Sequence, residues 1–588
     1  MNDIREALKS AIHNLYNLDF DPEVTPSPAN IDADYSSNAA LKLAKDLHKS
    51  PMEIAEEIAG VMPVNARVII TPPGFLNFIS PDEYLYAEII KLATNFKENI
   101  SSHAYDGKTI ICEFSDPNPF KVLHVGHLYT SVVGDSISRL YEYAGAKVVR
   151  ANFGGDVGLH VAKTMYILLQ KDTSNLKIED IATCYIEGTA AYDNDDHARQ
   201  EITKLNKEIY KINAEDIHGT PLAYLYWHGR ELSYQYFKDF YASIGVKFDK
   251  YYPESTVAAL GLATVERELA AGVYEKSDGA VIFDGAKYGL HARVFVNKEG
   301  VPTYEDKDVG LIFTKWQDYH FDKSIVITGS EQKDYMAVVL KSIEQYAPDL
   351  VAKTTHLTHG LVKLPGGVKM SSRKGNFLKA VDVLNLVSDA LNAEFGSSDR
   401  VISLAATKYA FLKYKMGGNI IFDPSESVKM TGNSGPYLLY SCVRAKKILA
   451  NVSSGRGAID MTSTSTADLH KANIRDNGSG IASEPRDDGR ERSGSRVENC
   501  RTNSHTEHAL MKKLLEYKAI LTDAVAELAP HKIATYLYEL AQEFSRFYEN
   551  CPVAGSDREA ERATLVQVYL SVMTHGLGLL GIEIPEEM

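Results

Sequence analysis

From Thr109 to Phe114 the chain runs TIICEF, a short apolar stretch rich in β-forming residues, and then its period changes. Leu128, Val132, Val133, Ile137, Leu140 and Tyr141 recur at helical spacing until Gly145, and Lys147 to Ala151 returns to a β pattern. Strand, polar loop, helix and strand in that order predict the opening of a doubly wound α/β fold, which binds phosphates at the helix N-terminus. Upstream, residues 1–104 predict a separate α+β unit, with two amphipathic helical stretches before ARVIITPPGFLNFIS, a β-rich run broken by Pro-Pro-Gly. Downstream, residues 381–588 read as mostly helical, and Ala529 to Tyr548 is a long stretch of helical period. The doubly wound segment is expected at 105–380, with an insertion near 165–295 whose aromatics, Tyr234 and Tyr236 among them, belong to its core.

One region breaks the pattern. From Val452 to His505 the chain turns to Ser, Gly, Asp, Asn and Arg, with no aromatic residue between Tyr440 and Tyr517. Such a composition buries too little apolar surface to offset chain entropy, so 452–505 is expected to be a disordered insertion.

The turn between the first strand and helix carries the chemistry. PNPFKVLHVGHL places His124 and His127 on either side of Gly126, where two imidazoles can donate to a phosphate whose charge grows in a transition state. Gly126 lets the backbone approach an adenine ring. A second loop, LPGGVKMSSRKGN from Leu364 to Asn376, is rich in glycine and lysine and suits a triphosphate.

Composition narrows the rest. No apolar run approaches membrane-spanning length, and MNDIREALKSAIHNL has no secretory apolar region, so a soluble, cytoplasmic protein is expected. Five separated cysteines form no CxxC pair, which predicts neither structural zinc nor a disulfide framework, and no metal ligand set is assigned. A net charge of −15 is unfavourable for binding a polyanion, so RNA contact would depend on local basic clusters, such as Lys369 to Lys374, Arg444 to Lys447, and Lys512 with Lys513. Solvated helix faces explain any one of these clusters equally well.

HVGH and KMSSR together resemble the HIGH and KMSKS signatures of class I aminoacyl-tRNA synthetases. EFSDPNPFK before HVGH, GGDVG at Gly154 to Gly158, TYEDKDVG at Thr303 to Gly310, GNSGPYLLY at Gly432 to Tyr440 and the terminal LLGIEIPEEM resemble the arginyl-tRNA synthetase family in particular. That resemblance implies a Rossmann-like doubly wound catalytic domain, an N-terminal tRNA-contacting α+β domain and an all-α anticodon-binding domain. It implies activation of L-arginine with ATP and Mg2+, followed by transfer to the terminal adenosine of tRNA(Arg), by a chain expected to act as a monomer.

The resemblance also implies residue roles. His124, His127, Lys121 and Lys369 serve catalysis, and Gly126, Met370, Ser371, Ser372 and Arg373 join them in holding ATP. Ser372 stands where the signature has its second lysine, and Lys121, three residues before His124, is the expected substitute, with Arg373 and Lys374 as nearby alternatives. Glu113, Tyr304, Asp308 and Gln332 line the guanidinium pocket, and Asn118 holds the amino-acid main chain. Asn77, Phe78, Tyr548 and Met588 are candidate tRNA contacts, although core packing is the alternative for Phe78 and interhelical packing for Tyr548. Two other readings compete: a class I synthetase for another amino acid, and a non-catalytic tRNA-binding paralogue.

Overall fold

The computed structural model describes residues 2–28, 31, 33–62, 66–365, 378–396, 398–455 and 505–588. Contacts divide the chain into two units, one made of Met1–Ile100, Ala445–Lys518 and Leu540–Val572, the other of Ser101–Arg444, Ala519–Glu539 and Met573–Met588.

In the first unit the chain opens with the helix Asn2–Tyr16, which buries Ile4, Leu8, Ala11 and Ile12 along one face at helical spacing. Helices Ala39–Leu47 and Pro51–Val61 follow, the second capped by Ser50, whose hydroxyl accepts from the Glu53 amide. Three helices therefore precede the β-rich run, where the sequence suggested two. Strands β1 (Thr25–Pro26), β2 (Tyr35–Ser37), β3 (Arg67–Thr71) and β4 (Phe75–Ile79) form an antiparallel sheet in the order β1-β2-β4-β3. The first two strands are too short to show a period, which is why they were not legible beforehand. The expected β run is the β3–β4 hairpin, turning at Gly74, where a side chain would collide with Pro51. In the C-terminal part of the same unit, Phe544 stacks on Tyr569, with ring centroids 3.8 Å apart. His508 bridges Asp34 and Asp82 at 2.9 and 2.6 Å.

The second unit is built on a five-stranded parallel sheet. Its strands are β5 (Thr109–Glu113), β6 (Lys147–Gly154), β7 (Lys250–Pro253), β11 (Lys323–Gly329) and β12 (Thr354–His359), ordered β12-β11-β5-β6-β7. From β5 the chain passes through the helix Val125–Tyr143 to β6 on one side, while β11 pairs on the other. The order reverses between β5 and β11, and a crevice forms beyond the strand ends at such a switch point. An antiparallel meander of β8 (Glu275–Ser277), β9 (Ala280–Phe283) and β10 (Arg293–Val296) precedes β11. A short parallel pair joins β13 (Val362–Lys363) to β14 (Ile420–Ile421).

The inserted segment is not one block. Helices Leu159–Leu168, Ile178–Asn194, Asp196–Ala214 and Pro221–Ser243 share a core around Val161, Ile181, Ile202 and Tyr226, and then β7 rejoins the main sheet. Tyr234 and Tyr236, expected in that core, are only half-buried, and the Tyr236 hydroxyl accepts from the Leu123 amide at 3.3 Å. The Lys369 to Asn376 loop lies outside the described residues. So does 456–504, most of the segment expected to be disordered. Its first four residues, 452–455, continue the helix Gly435–Gly455, and helix resumes at 505. Among the described residues no helix is long and apolar enough to cross a membrane.

Candidate active site

Beyond the ends of β5, β6 and β11 lies a cleft of about 1160 Å³ bordered by Glu113, Asp116, Asn118, His124, Gly126, His127, Tyr304, Asp308 and Gln332. The loop joining β5 to its helix is held at both sides. Ser115 and Asp116 adopt left-handed backbone angles, φ 74° and 48°, which turn the chain sharply out of the strand. The Ser115 hydroxyl meets the Tyr241 hydroxyl at 2.8 Å, and the Phe120 amide donates to Ser233 Oγ at 2.9 Å, so the helix Pro221–Ser243 pins the loop from one side. On the other, Asp116 accepts from the Phe153 amide and Asn118 from the Gly155 amide, each at 2.8 Å, which fastens the loop to the end of β6.

The two histidines are set by the backbone. His124 is the N-cap of the helix Val125–Tyr143, its Nδ1 accepting from the Gly126 amide at 3.1 Å, and His127 Nδ1 accepts from the His124 amide at 3.1 Å. Because each Nδ1 is an acceptor, the proton of each neutral ring sits on Nε2. The rings stack at 3.8 Å. Burial, then the nearby Lys121 charge, lowers His124 to about 4; burial, then its partner His124, pushes His127 well down. Both are therefore neutral single donors at pH 7. Gly126 has a reason beyond ligand access, since a Cβ there would lie 2.9 Å from the His124 ring.

Opposite stands an acidic wall. Glu113 is buried at the end of β5 and pairs with Lys315 at 2.5 Å; Lys315 is wholly enclosed and also donates to Ser324 Oγ at 3.2 Å. Tyr304 and Asp308 border the cleft from the helix Tyr304–Tyr319, and Asp308 accepts a short hydrogen bond from the Tyr335 hydroxyl. Burial raises Asp308 to about 7, against the pull of that hydroxyl. Burial, followed by the Glu113 charge, raises Asp116 well above the usual carboxylate range. Gln332, in the short turn Ser330–Gln332, is exposed at the rim. Glu254 completes the wall, paired with Lys307 at 2.5 Å.

Asp116, Glu254, Lys307, Lys315 and Tyr335 were not singled out from the sequence. Lys315 had a signal: it stands seven residues beyond Asp308 on one helix, hence on the same face. Glu254 and Tyr335 had none, because only the sheet order brings their elements together. Among the described residues no cluster of His, Cys, Asp and Glu could hold a metal ion.

The remaining expected residues lie elsewhere. Lys121 sits beside the HVGH turn, with its ammonium 4.4 Å from the centre of the Tyr185 ring. Lys369, Met370, Ser371, Ser372 and Arg373 lie outside the described residues. Asn77 and Phe78 both lie on β4 in the N-terminal sheet. Phe78 is fully enclosed in the N-terminal core; Asn77, 2% exposed, accepts from Ser36 Oγ at 2.6 Å and donates to Thr71 Oγ1 at 2.9 Å. Tyr548 is 43% exposed in the first unit, and Met588 belongs to the second.

A crevice at the switch point, closed by a helix N-terminus bearing HVGH, defines a class I nucleotide-activating site. The family model for the catalytic domain of tRNA synthetases class I (R) matches residues 90–402, and the chain belongs to that family. The arginyl tRNA synthetase N-terminal domain model matches residues 2–79, and the DALR anticodon binding domain model matches 480–588. An arginine–tRNA ligase of Flavobacterium psychrophilum is 26% identical over 100% of this chain and 99% of its own length. One of Treponema denticola is 27% identical over 93% and 91%. The fold is shared with Thermus thermophilus arginyl-tRNA synthetase, at a TM-score of 0.72 and 22% identity over the full length of both chains. It is also shared with the Plasmodium falciparum enzyme, at 0.71 and 19%, over 100% of this chain and 99% of that one.

Proposed function

We propose that this chain is an arginine–tRNA ligase, activating L-arginine with ATP and esterifying the 3′-terminal adenosine of tRNA(Arg). The observation that carries it is the acidic wall facing the HVGH turn in a chain of the arginyl family. An arginine side chain is permanently charged and planar, and it needs carboxylate acceptors when removed from water. Glu113 is answered by Lys315, whereas Asp308 and Asp116 have no ion pair of their own among the described residues. In this reading Asn118 orients the amino-acid main chain, and Tyr304 and Gln332, which border the same cleft, take the guanidinium.

In activation, a carboxylate oxygen of arginine attacks the α-phosphorus of ATP. The new C–O–P bond forms as the bond to the β-phosphate oxygen breaks, and pyrophosphate leaves with the Mg2+ that accompanied ATP as substrate. His124 and His127 donate from Nε2 to oxygens of the transferring phosphate as their charge increases, without any change in their own protonation. Lys121 adds a positive charge beside them. Gly126, Met370, Ser371, Ser372 and Arg373 belong to ATP binding, and Lys369 to the departing phosphates. The adenosine hydroxyl of the tRNA then displaces AMP from the mixed anhydride.

Residues 1–104, 105–380 and 381–588 are assigned to tRNA contact, catalysis and anticodon binding, with Tyr548 and Met588 as RNA contacts of the last. The chain acts as a monomer in the cytoplasm, and arginine activation depends on tRNA. Amino-acid-dependent ATP–pyrophosphate exchange with each amino acid, with and without tRNA, tests the whole reading. Exchange with arginine alone among the amino acids, and only with tRNA present, is expected. Exchange with another amino acid, or none under any condition, overturns it.

A further inference from the structure

Lys121 is a cation without a carboxylate. No ion pair involves it among the described residues, although Glu113, Glu254 and other acids lie in the same unit. What holds it is the ring of Tyr185, 4.4 Å from Nζ to centroid. Tyr185 comes from the helix Ile178–Asn194 of the inserted segment, whose Ile181 and Cys184 are buried in that segment's core, so the ring is mounted on a fixed element. Between ring and turn lies a small cavity of about 110 Å³, lined by Lys121, Tyr185, Ala182, His124 and His127. Lys121 thus lines one small pocket together with both histidines. Its charge also reaches them, since it contributes to holding both imidazoles neutral.

A flexible lysine stem has a large rotamer freedom to lose, and a carboxylate partner would order it only by cancelling its charge. An aromatic face orders the ammonium and leaves its charge available. We propose that Tyr185 is the positioning residue for Lys121, its ring face holding the ammonium beside the HVGH turn in readiness for the phosphates of ATP. This rests on the role assigned to Lys121 above.

The test uses the full chain with ATP, arginine and tRNA(Arg), and reads the single-turnover rate of adenylate formation at saturating substrates. Lys121→Met should slow that step by roughly 10²-fold, as expected for a lost transition-state charge partner. Tyr185→Leu should slow it by about 3- to 30-fold, the range a cation–π contact supports, with the Michaelis constant for arginine unchanged. Tyr185→Phe, which keeps the ring face, should restore most of the rate. In the Lys121→Met background, Tyr185→Leu should cost nothing further. The inference is overturned if Tyr185→Leu retains the full rate, if Tyr185→Phe falls as far as Tyr185→Leu, or if the Tyr185→Leu loss persists without Lys121. A full rate in Lys121→Met removes the role of Lys121 itself and the inference with it, whereas a slow Lys121→Met beside a fast Tyr185→Leu removes only the inference.

Discussion

The HVGH turn and the acidic wall face each other across one cleft, but they are built by opposite means. His124 and His127 are three residues apart, and each is oriented by a backbone amide within the same helical turn. Their tautomers and neutrality follow from local geometry plus burial. Glu113, Asp116, Asp308 and Glu254 come from a strand end, a loop and two helices, and each owes its state to neighbours remote in sequence. A local motif is robust because its partners are backbone amides, which only a substitution to proline removes. An assembled wall is tunable, because its charge depends on which side-chain partner is present.

The largest way to break that contrast is to remove a partner from the wall. Lys315→Met leaves the Glu113 carboxylate buried without its cation, and breaking a buried pair from one side costs about 3–5 kcal/mol. A markedly lower melting temperature than wild type is expected, with Glu113→Gln in the same chain recovering part of it. If Lys315→Met melts normally, the pair is not a structural element of the wall.

On the other side of the cleft the cost should be kinetic. His124→Ala or His127→Ala should reduce adenylate formation by roughly 10²–10³-fold while arginine affinity stays within a factor of a few, because each Nε2 donor acts on charge that develops only in the transition state. Calorimetric titration with arginine in the presence of tRNA, beside single-turnover rates, separates the two quantities; a loss confined to affinity would contradict the donor role.

Asp308 sharpens the comparison through pH. Its carboxyl is raised to about 7 by burial, so below pH 7 it carries a proton that a guanidinium must displace. Arginine affinity should therefore rise with pH, by up to ~10-fold per unit, and level off above pH 7, with a proton released on binding. Asp308→Asn should weaken arginine binding and flatten the profile. A wild-type affinity independent of pH from 5.5 to 8 would show that Asp308 does not face the guanidinium.

An effect of similar size per pH unit, but on stability rather than on binding, belongs to Asp306, on the same helix as Asp308 but turned into the packing against the helix Glu254–Ala270. It is fully buried, neither oxygen has a hydrogen-bond partner among the described residues, and burial raises it to about 8. The folded state then holds a proton that the unfolded chain releases near pH 4. Stability should accordingly fall as pH rises toward 8, by at most ~1.4 kcal/mol per unit from this group. Melting temperatures of wild type and Asp306→Asn between pH 6 and 8 should diverge; parallel curves would count against a protonated Asp306.

Resemblance suggests a residue's role but not its packing. Of the candidate tRNA contacts, Phe78 fills the N-terminal core and Asn77 ties β4 to its neighbours. Alternation in a strand says which residues share a face, but not which face is buried when both are covered. Tyr548 shows the converse: a helical tyrosine for which interhelical packing was the alternative is 43% exposed.

By itself the sequence determined the elements whose signals are local: the strand–turn–helix that carries HVGH, the β3–β4 hairpin and the long helices of the C-terminal third. It also determined the residue types that reach the cleft from those elements, because a strand end and a helix start have fixed positions once their periods are read. Only the tertiary structure decided that Lys315 answers Glu113, that Lys307 answers Glu254, that β7 returns to the sheet within the inserted segment and that Tyr185 lies against Lys121. Those contacts join residues brought together by the order of parallel strands. Hydrogen bonding along a strand specifies neighbours without recording, at any one position, which distant side chain will arrive beside it.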